Sequence, residues 1–88
     1  MAKYTPLIPH IVMDIPASWG KEYSTARGVY DPDTRTVHVR PTSDKLDELD
    51  TFVHEAIHSV NPKISEEETE ELAYIIARVL WKAKYRKI

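Results

Sequence analysis

The change from a strand pattern to a helix pattern falls within residues 26–62, which read ARGVYDPDTRTVHVRPTSDKLDELDTFVHEAIHSVNP. A hairpin is predicted near residues 28–40, because the turn residues Asp-Pro-Asp-Thr separate two β-prone runs. In the second run, Val37 and Val39 alternate with polar residues. This period of two predicts a half-buried strand.

A helix is predicted over about residues 44–60. Pro41 ends the preceding strand, and Thr42 or Ser43 is placed to cap the helix. Its apolar residues recur at three- and four-residue spacing, at Leu46, Leu49, Val53, Ile57 and Val60. The Asn-Pro pair at residues 61–62 is a typical helix end.

A second helix is predicted over about residues 66–86, where Ser65 and Glu68 form a capping box. Its expected apolar stripe consists of Leu72, Ile76, Val79 and Ala83. An N-terminal strand is predicted near residues 11–15. Because strands precede helices, we expect an α+β fold with a small antiparallel or mixed sheet packed on two C-terminal helices, in one domain spanning residues 1–88.

The composition argues against several classes of function. The 88 residues contain no cysteine, so nitrogen and oxygen atoms would have to hold any metal ion. The net charge is −2, and the acidic and basic clusters are small, which argues against a nucleic-acid surface. The apolar run at residues 7–15 is interrupted by Pro9, His10 and Asp14. We therefore expect no signal peptide and no membrane span, and a cytoplasmic protein.

The first helix carries the pattern His54-Glu55-Ala56-Ile57-His58, or H-E-x-x-H. Residues four apart lie one turn above each other on one face, so two imidazoles at this spacing can share one metal ion. We expect His54 and His58 to bind Zn²⁺ and Glu55 to act as the general base for a metal-activated water.

A catalytic zinc ion takes three protein ligands, so a third ligand must be found. After His58 the sequence contains no histidine, cysteine or aspartate, which leaves the glutamates at residues 66–71 as downstream ligands. Glu66 ranks first, because it lies along one edge of the apolar stripe of the second helix. The two histidines have a similar angular offset from the apolar stripe of the first helix. Glu70, one turn later, is the alternative ligand.

Two segments resemble known proteins: DTFVHEAIH at residues 50–58 and ISEEETEELA at residues 64–73. H-E-x-x-H followed by a helix with a ligand glutamate is similar to the gluzincins, of which thermolysin is the best known. The two segments also resemble small, uncharacterised H-E-x-x-H proteins of bacteriophages and prophages. The resemblance implies a minimal zincin-like fold, a zinc metallopeptidase and, for a phage-encoded protein, the host cytoplasm.

The resemblance also implies roles for further residues. The gluzincin spacing makes Glu66 the ligand. It makes Glu70 a residue that supports a histidine ligand without binding the metal itself. An edge strand beside the metal helix, with residues 37–40 as the candidate, would pair with extended substrate. The residues considered for oxyanion or substrate contact are His38, Arg40, Tyr30 and Tyr74.

The expected function is therefore hydrolysis of a peptide or protein substrate by a monomer or weak homodimer, without nucleic acid or membrane. One alternative is a non-catalytic protein-interaction module whose metal is structural or absent. Glu55 discriminates against it, because a structural site needs no general base. A second alternative is a zinc amidohydrolase acting on a substrate other than a peptide.

Overall fold

Three short strands form a mixed sheet in the computed structural model, which describes residues 8–85. They are β1 (His10–Val12), β2 (Gly28–Asp31) and β3 (Thr36–Val39), in the spatial order β1-β3-β2. β1 pairs with β3 in parallel, and β2 pairs with β3 antiparallel as a hairpin. The first of the two helices packs against this sheet and the second packs on the first helix, so the fold is α+β, as predicted.

β1 is shorter than the predicted strand at residues 11–15. After Val12 the chain leaves the ladder, and the Asp14 carbonyl oxygen accepts a hydrogen bond of 3.2 Å from His38 Nδ1. Ile15 then enters the core with 4% of its surface exposed. The side-chain bond and the burial of Ile15 replace strand pairing in this segment.

β3 is buried along its whole length, so the prediction of a half-buried strand was wrong. Val39 pairs with Gly28, which lies against the first helix. On the opposite face, the His38 ring packs edge-on against Trp19, with ring centroids 4.6 Å apart. Trp19 belongs to one of two 3-10 turns, Ala17–Trp19 and Lys21–Tyr23, and these turns cover the face that the alternation assigned to solvent.

The two helices are α1 (Lys45–Val60) and α2 (Glu66–Lys82). Asp44 caps α1 by accepting from the Asp47 N–H, so the predicted cap at Thr42 or Ser43 was one or two residues early. Ser65 caps α2 as predicted, because its hydroxyl accepts from the Glu68 N–H and donates to the Glu68 carboxylate. Neither helix within residues 8–85 is both long and apolar enough to cross a membrane.

α2 ends before the predicted residue 86, which lies outside the described residues. Lys84 adopts a left-handed conformation with φ of 70°. Its N–H donates to the Trp81 carbonyl oxygen, and the Tyr85 N–H donates to the Leu80 carbonyl oxygen. These two bonds form a Schellman motif, which terminates the helix by satisfying its last carbonyl groups.

The face of α2 that packs inside the protein differs from the predicted stripe. Its buried residues are Thr69, Ala73 and Ala77. The predicted stripe residues Leu72, Ile76, Val79 and Ala83 are all exposed, as is Val60 of the α1 stripe. Small side chains let the two helix axes approach closely, so packing selects alanine and threonine over the larger aliphatic residues.

Candidate metal centre

A tight connection brings the first residue of α2 against the last two turns of α1. The Asn61 N–H donates to the Ile57 carbonyl oxygen, and the Ile64 N–H donates to the Asn61 carbonyl oxygen. The chain therefore reverses direction between the end of α1 at Val60 and the start of α2 at Glu66. This reversal places Glu66 beside His54 and His58 of α1.

Three side-chain atoms converge between the helices. Glu66 Oε1 lies 2.7 Å from His58 Nε2 and 3.1 Å from His54 Nε2, and the two Nε2 atoms are 3.2 Å apart. Among residues 8–85, His54, His58 and Glu66 are the group of histidines and carboxylates whose geometry could hold a metal ion.

The spacing of these atoms fits a small tetrahedral ion. Zinc bonds of about 2.0–2.1 Å to nitrogen and oxygen place tetrahedral ligand atoms about 3.3 Å from one another. Two of the three separations, 3.1 and 3.2 Å, are close to this value, and the third, 2.7 Å, is a hydrogen-bond length. The donor set of two imidazoles and one carboxylate is also one that zinc accepts.

The group is open on the side of Glu66. The Glu66 side chain is 65% exposed, whereas those of His54 and His58 are 17% and 25% exposed. The hydrogen bond with His58 holds the pKa of the Glu66 carboxyl below its ordinary value of 4.5. The carboxylate is therefore ionised at neutral pH, which is the form that binds a metal.

Glu55 lies against β2 through a close approach at Gly28. A Cβ atom added to Gly28 would stand 2.8 Å from Glu55 Cγ and 2.7 Å from Thr51 Cγ2, both shorter than real Cβ contacts. Only glycine fits this position without displacement of its neighbours. The main-chain N–H of Tyr30, two residues along β2, has a small lowering effect on the pKa of the Glu55 carboxyl.

Burial raises the pKa of Glu55 above its ordinary value of 4.5. Positive charge on His54 and His58 lowers it, the negative charge of Glu66 raises it, and the Tyr30 N–H lowers it, but desolvation is the largest of these effects. A carboxyl group with a raised pKa takes up a proton more readily than an ordinary glutamate, which suits a general base.

Two of the residues considered for oxyanion or substrate contact lie on the other face of the sheet. His38 packs on Trp19 and donates to Asp14, as described above. Arg40 Nε donates to the Ala26 carbonyl oxygen and Nη2 to the Tyr23 carbonyl oxygen, each at 2.9 Å. The structure does not bring His38 or Arg40 to the metal centre, because both side chains hold the 3-10 turns and the hairpin base instead.

The other candidates lie on the helix side of the sheet. Tyr30 pairs with Val37 and shares its face. Glu70 lines a groove with His54 and Glu55 but does not belong to the converging group. The Tyr74 ring lies 3.5 Å from the Arg78 guanidinium, which forms an ion pair with Asp50.

The predicted substrate strand at residues 37–40 was wrong, because β3 is the central strand and is paired on both sides. Within the described part of the chain, β2 is the edge strand beside α1. The Arg40 N–H donates to the Arg27 carbonyl oxygen, so the alternation of an antiparallel ladder directs the main-chain groups of Gly28 and Tyr30 outward.

Sequence reasoning missed Gly28 and Thr51 as neighbours of Glu55. The available signal was a glycine at the start of a strand, which often marks a close backbone approach. The arrangement is a group of two histidines and one glutamate that could hold a metal ion, with the Glu55 carboxylate beside it. Comparison of the chain with protein-family models, curated proteins and solved structures finds no match.

Proposed function

We propose that the protein is a zinc-dependent hydrolase that cleaves peptide bonds, with His54, His58 and Glu66 as metal ligands and Glu55 as general base. The observation that carries the proposal is the convergence of the three ligand atoms at 2.7–3.2 Å from one another. The resemblance of the H-E-x-x-H pattern and its following glutamate-bearing helix to the gluzincins supports the same assignment.

Zinc bound by these ligands would supply a Lewis acid that makes a water molecule more acidic and polarises a carbonyl group. Glu55 adjoins the proposed ligand His54 in sequence and lies against β2 at Gly28. Its carboxylate accepts the proton from the attacking water and returns it to the leaving amine. The burial that raises the pKa of Glu55 assists the first of these transfers.

A peptide is the proposed substrate because the metal centre lies beside an edge strand. The outward main-chain groups of Gly28 offer one donor and one acceptor to an extended chain. Peptide backbone can add to such an edge as a further strand, whereas an amide in a nucleotide or sugar substrate cannot. This feature favours a peptidase over the alternative amidohydrolase.

The test compares wild type with Glu55→Gln and Glu22→Gln, after zinc loading, on a proteome-derived peptide library read by mass spectrometry. We expect Glu55→Gln to retain one zinc per chain and to lose about 10²–10⁴-fold in cleavage rate. Glu22, an exposed carboxylate in a 3-10 turn, is the matched control and should leave the rate unchanged.

Two outcomes would contradict the proposal. Full cleavage activity in the Glu55→Gln variant would exclude Glu55 as the base. Zinc binding without cleavage of any peptide by the wild type would favour a structural metal in an interaction module.

A further inference from the structure

α2 carries a second apolar face, to one side of the face that packs on α1. It consists of Leu72, Ile75, Ile76 and Val79, which are 41%, 52%, 40% and 60% exposed. These residues follow the spacing i, i+3, i+4, i+7 and form one continuous stripe, which we call the outer face of α2. The buried residues Thr69, Ala73 and Ala77 lie on a different side of the same helix.

An exposed aliphatic stripe of this kind needs a partner. Single exposed apolar residues are ordinary, but a contiguous patch of large aliphatic side chains marks an interaction surface. The side chains of the outer face are also bordered by charged residues, at Glu68, Glu71 and Lys82. A polar rim around an apolar centre is the usual anatomy of a protein interface.

We propose that the outer face of α2 is the interface of a homodimer, in which two copies of α2 pack antiparallel about a two-fold axis at Ile75 and Ile76. In this arrangement Leu72 of each chain lies opposite Val79 of the other, so the same stripe serves both subunits. The proposal concerns assembly and does not depend on the hydrolase assignment.

The charges along α2 favour a second copy in this orientation. The N-terminal half of the helix is acidic, with Glu71 on one flank of the outer face, and Lys82 lies on the same flank near the C-terminal end. A two-fold axis between Ile75 and Ile76 places Glu71 of each chain near Lys82 of the other. A parallel pairing would instead bring like charges together, which is unfavourable.

The size of the surface predicts a weak dimer. Four partly exposed aliphatic side chains and their rim offer a few hundred Å² per subunit, below the roughly 800 Å² per partner of a standard interface. We therefore expect dissociation in the micromolar range. Glu66 lies about 130° around the helix from the centre of the outer face, so the dimer leaves the metal centre accessible.

The test is sedimentation velocity of the full chain from about 1 to about 500 μM, a range that spans a micromolar dissociation constant. Wild type should shift with concentration from 10.2 kDa toward twice that mass. Ile75→Glu places a charge on both sides of the axis and should raise the dissociation constant at least about 100-fold. Val60→Glu, at an 81% exposed aliphatic residue outside the outer face, is the control and should sediment as wild type does.

A charge exchange tests the orientation without touching the apolar residues. Lys82→Glu should raise the dissociation constant about 10-fold, and adding Glu71→Lys should restore it. A wild type that stays monomeric at every concentration would overturn the proposal and assign the face to a different partner. A dimer that persists in Ile75→Glu, or a charge exchange without rescue, would overturn the proposed packing.

Discussion

The two sides of the sheet carry similar polar side chains and use them differently. On the side of the 3-10 turns, His38 and Arg40 donate to backbone carbonyl oxygens and hold the loops in place. On the helix side, His54, His58 and Glu66 bond to one another around a common point. A polar side chain that donates to backbone carbonyl groups holds the fold together, whereas side chains that converge on one point are arranged to receive a ligand.

The largest expected difference is between two variants that each remove one histidine, one from either side of the sheet. His58→Ala should weaken zinc binding by more than the 10–100-fold typical of groups outside the ligand set, and should abolish cleavage. His38→Ala should keep the zinc affinity and lose stability, because it leaves a cavity beside Trp19. Calorimetric zinc titration and thermal unfolding of both variants provide the check, and equal zinc loss in the two would contradict the distinction.

The second prediction concerns the two glycines of the sequence. Gly28→Ala should push β2 away from Glu55 and reduce the cleavage rate about 10–100-fold with zinc retained, since small displacements near the reacting atoms are costly. Gly20→Ala is the matched control: its φ of 103° makes alanine strained there, but its added Cβ would meet only an ordinary contact. It should lose stability and keep the rate. Equal rates in the two variants would contradict a positioning role for Gly28.

A third prediction tests the structural role of Arg40. Arg40→Ala should lower the free energy of unfolding by about 1–3 kcal/mol, because two carbonyl oxygens lose their charged donor. Chemical denaturation measures this loss, and zinc stoichiometry serves as the second readout. Loss of zinc from the folded variant would show that Arg40 contributes to the metal centre after all.

The smallest expected effect is a pH dependence in the metal-free protein. The folded-state pKa of Glu55 is raised by burial, so the unfolded chain loses its proton first as pH rises, and stability falls through that interval. Glu55→Gln lacks this loss. Its melting temperature should therefore exceed that of wild type at pH 7, with a difference that shrinks toward pH 4. A difference independent of pH would contradict the raised pKa.

The convergence of His54, His58 and Glu66 could be predicted from the sequence because it depends on local structure. The histidines are one helical turn apart, and Glu66 follows a capped helix start that hydrogen bonds within a few residues define. The hairpin and both helices were predicted for the same reason: turn residues and caps act on their immediate neighbours.

The strand order and the packed face of α2 were not predictable from local pattern. β1 pairs in parallel with β3, and residues 17–23 cover the second face of β3. Both arrangements depend on contacts between segments that are distant in the chain. Hydrophobicity alone predicted that Leu72 and Val79 would be buried. The close packing of the helices instead buries the small residues Ala73 and Ala77.

We propose that Glu66, and not Glu70, completes the metal centre. The most direct measurement is zinc per chain by elemental analysis after mild chelation and rebinding, on wild type, Glu66→Ala and Glu70→Ala. We predict one zinc per chain in wild type and in Glu70→Ala, and loss of zinc in Glu66→Ala. Retention of zinc by Glu66→Ala with loss in Glu70→Ala, or no zinc in wild type, would contradict the assignment of Glu66 as a ligand.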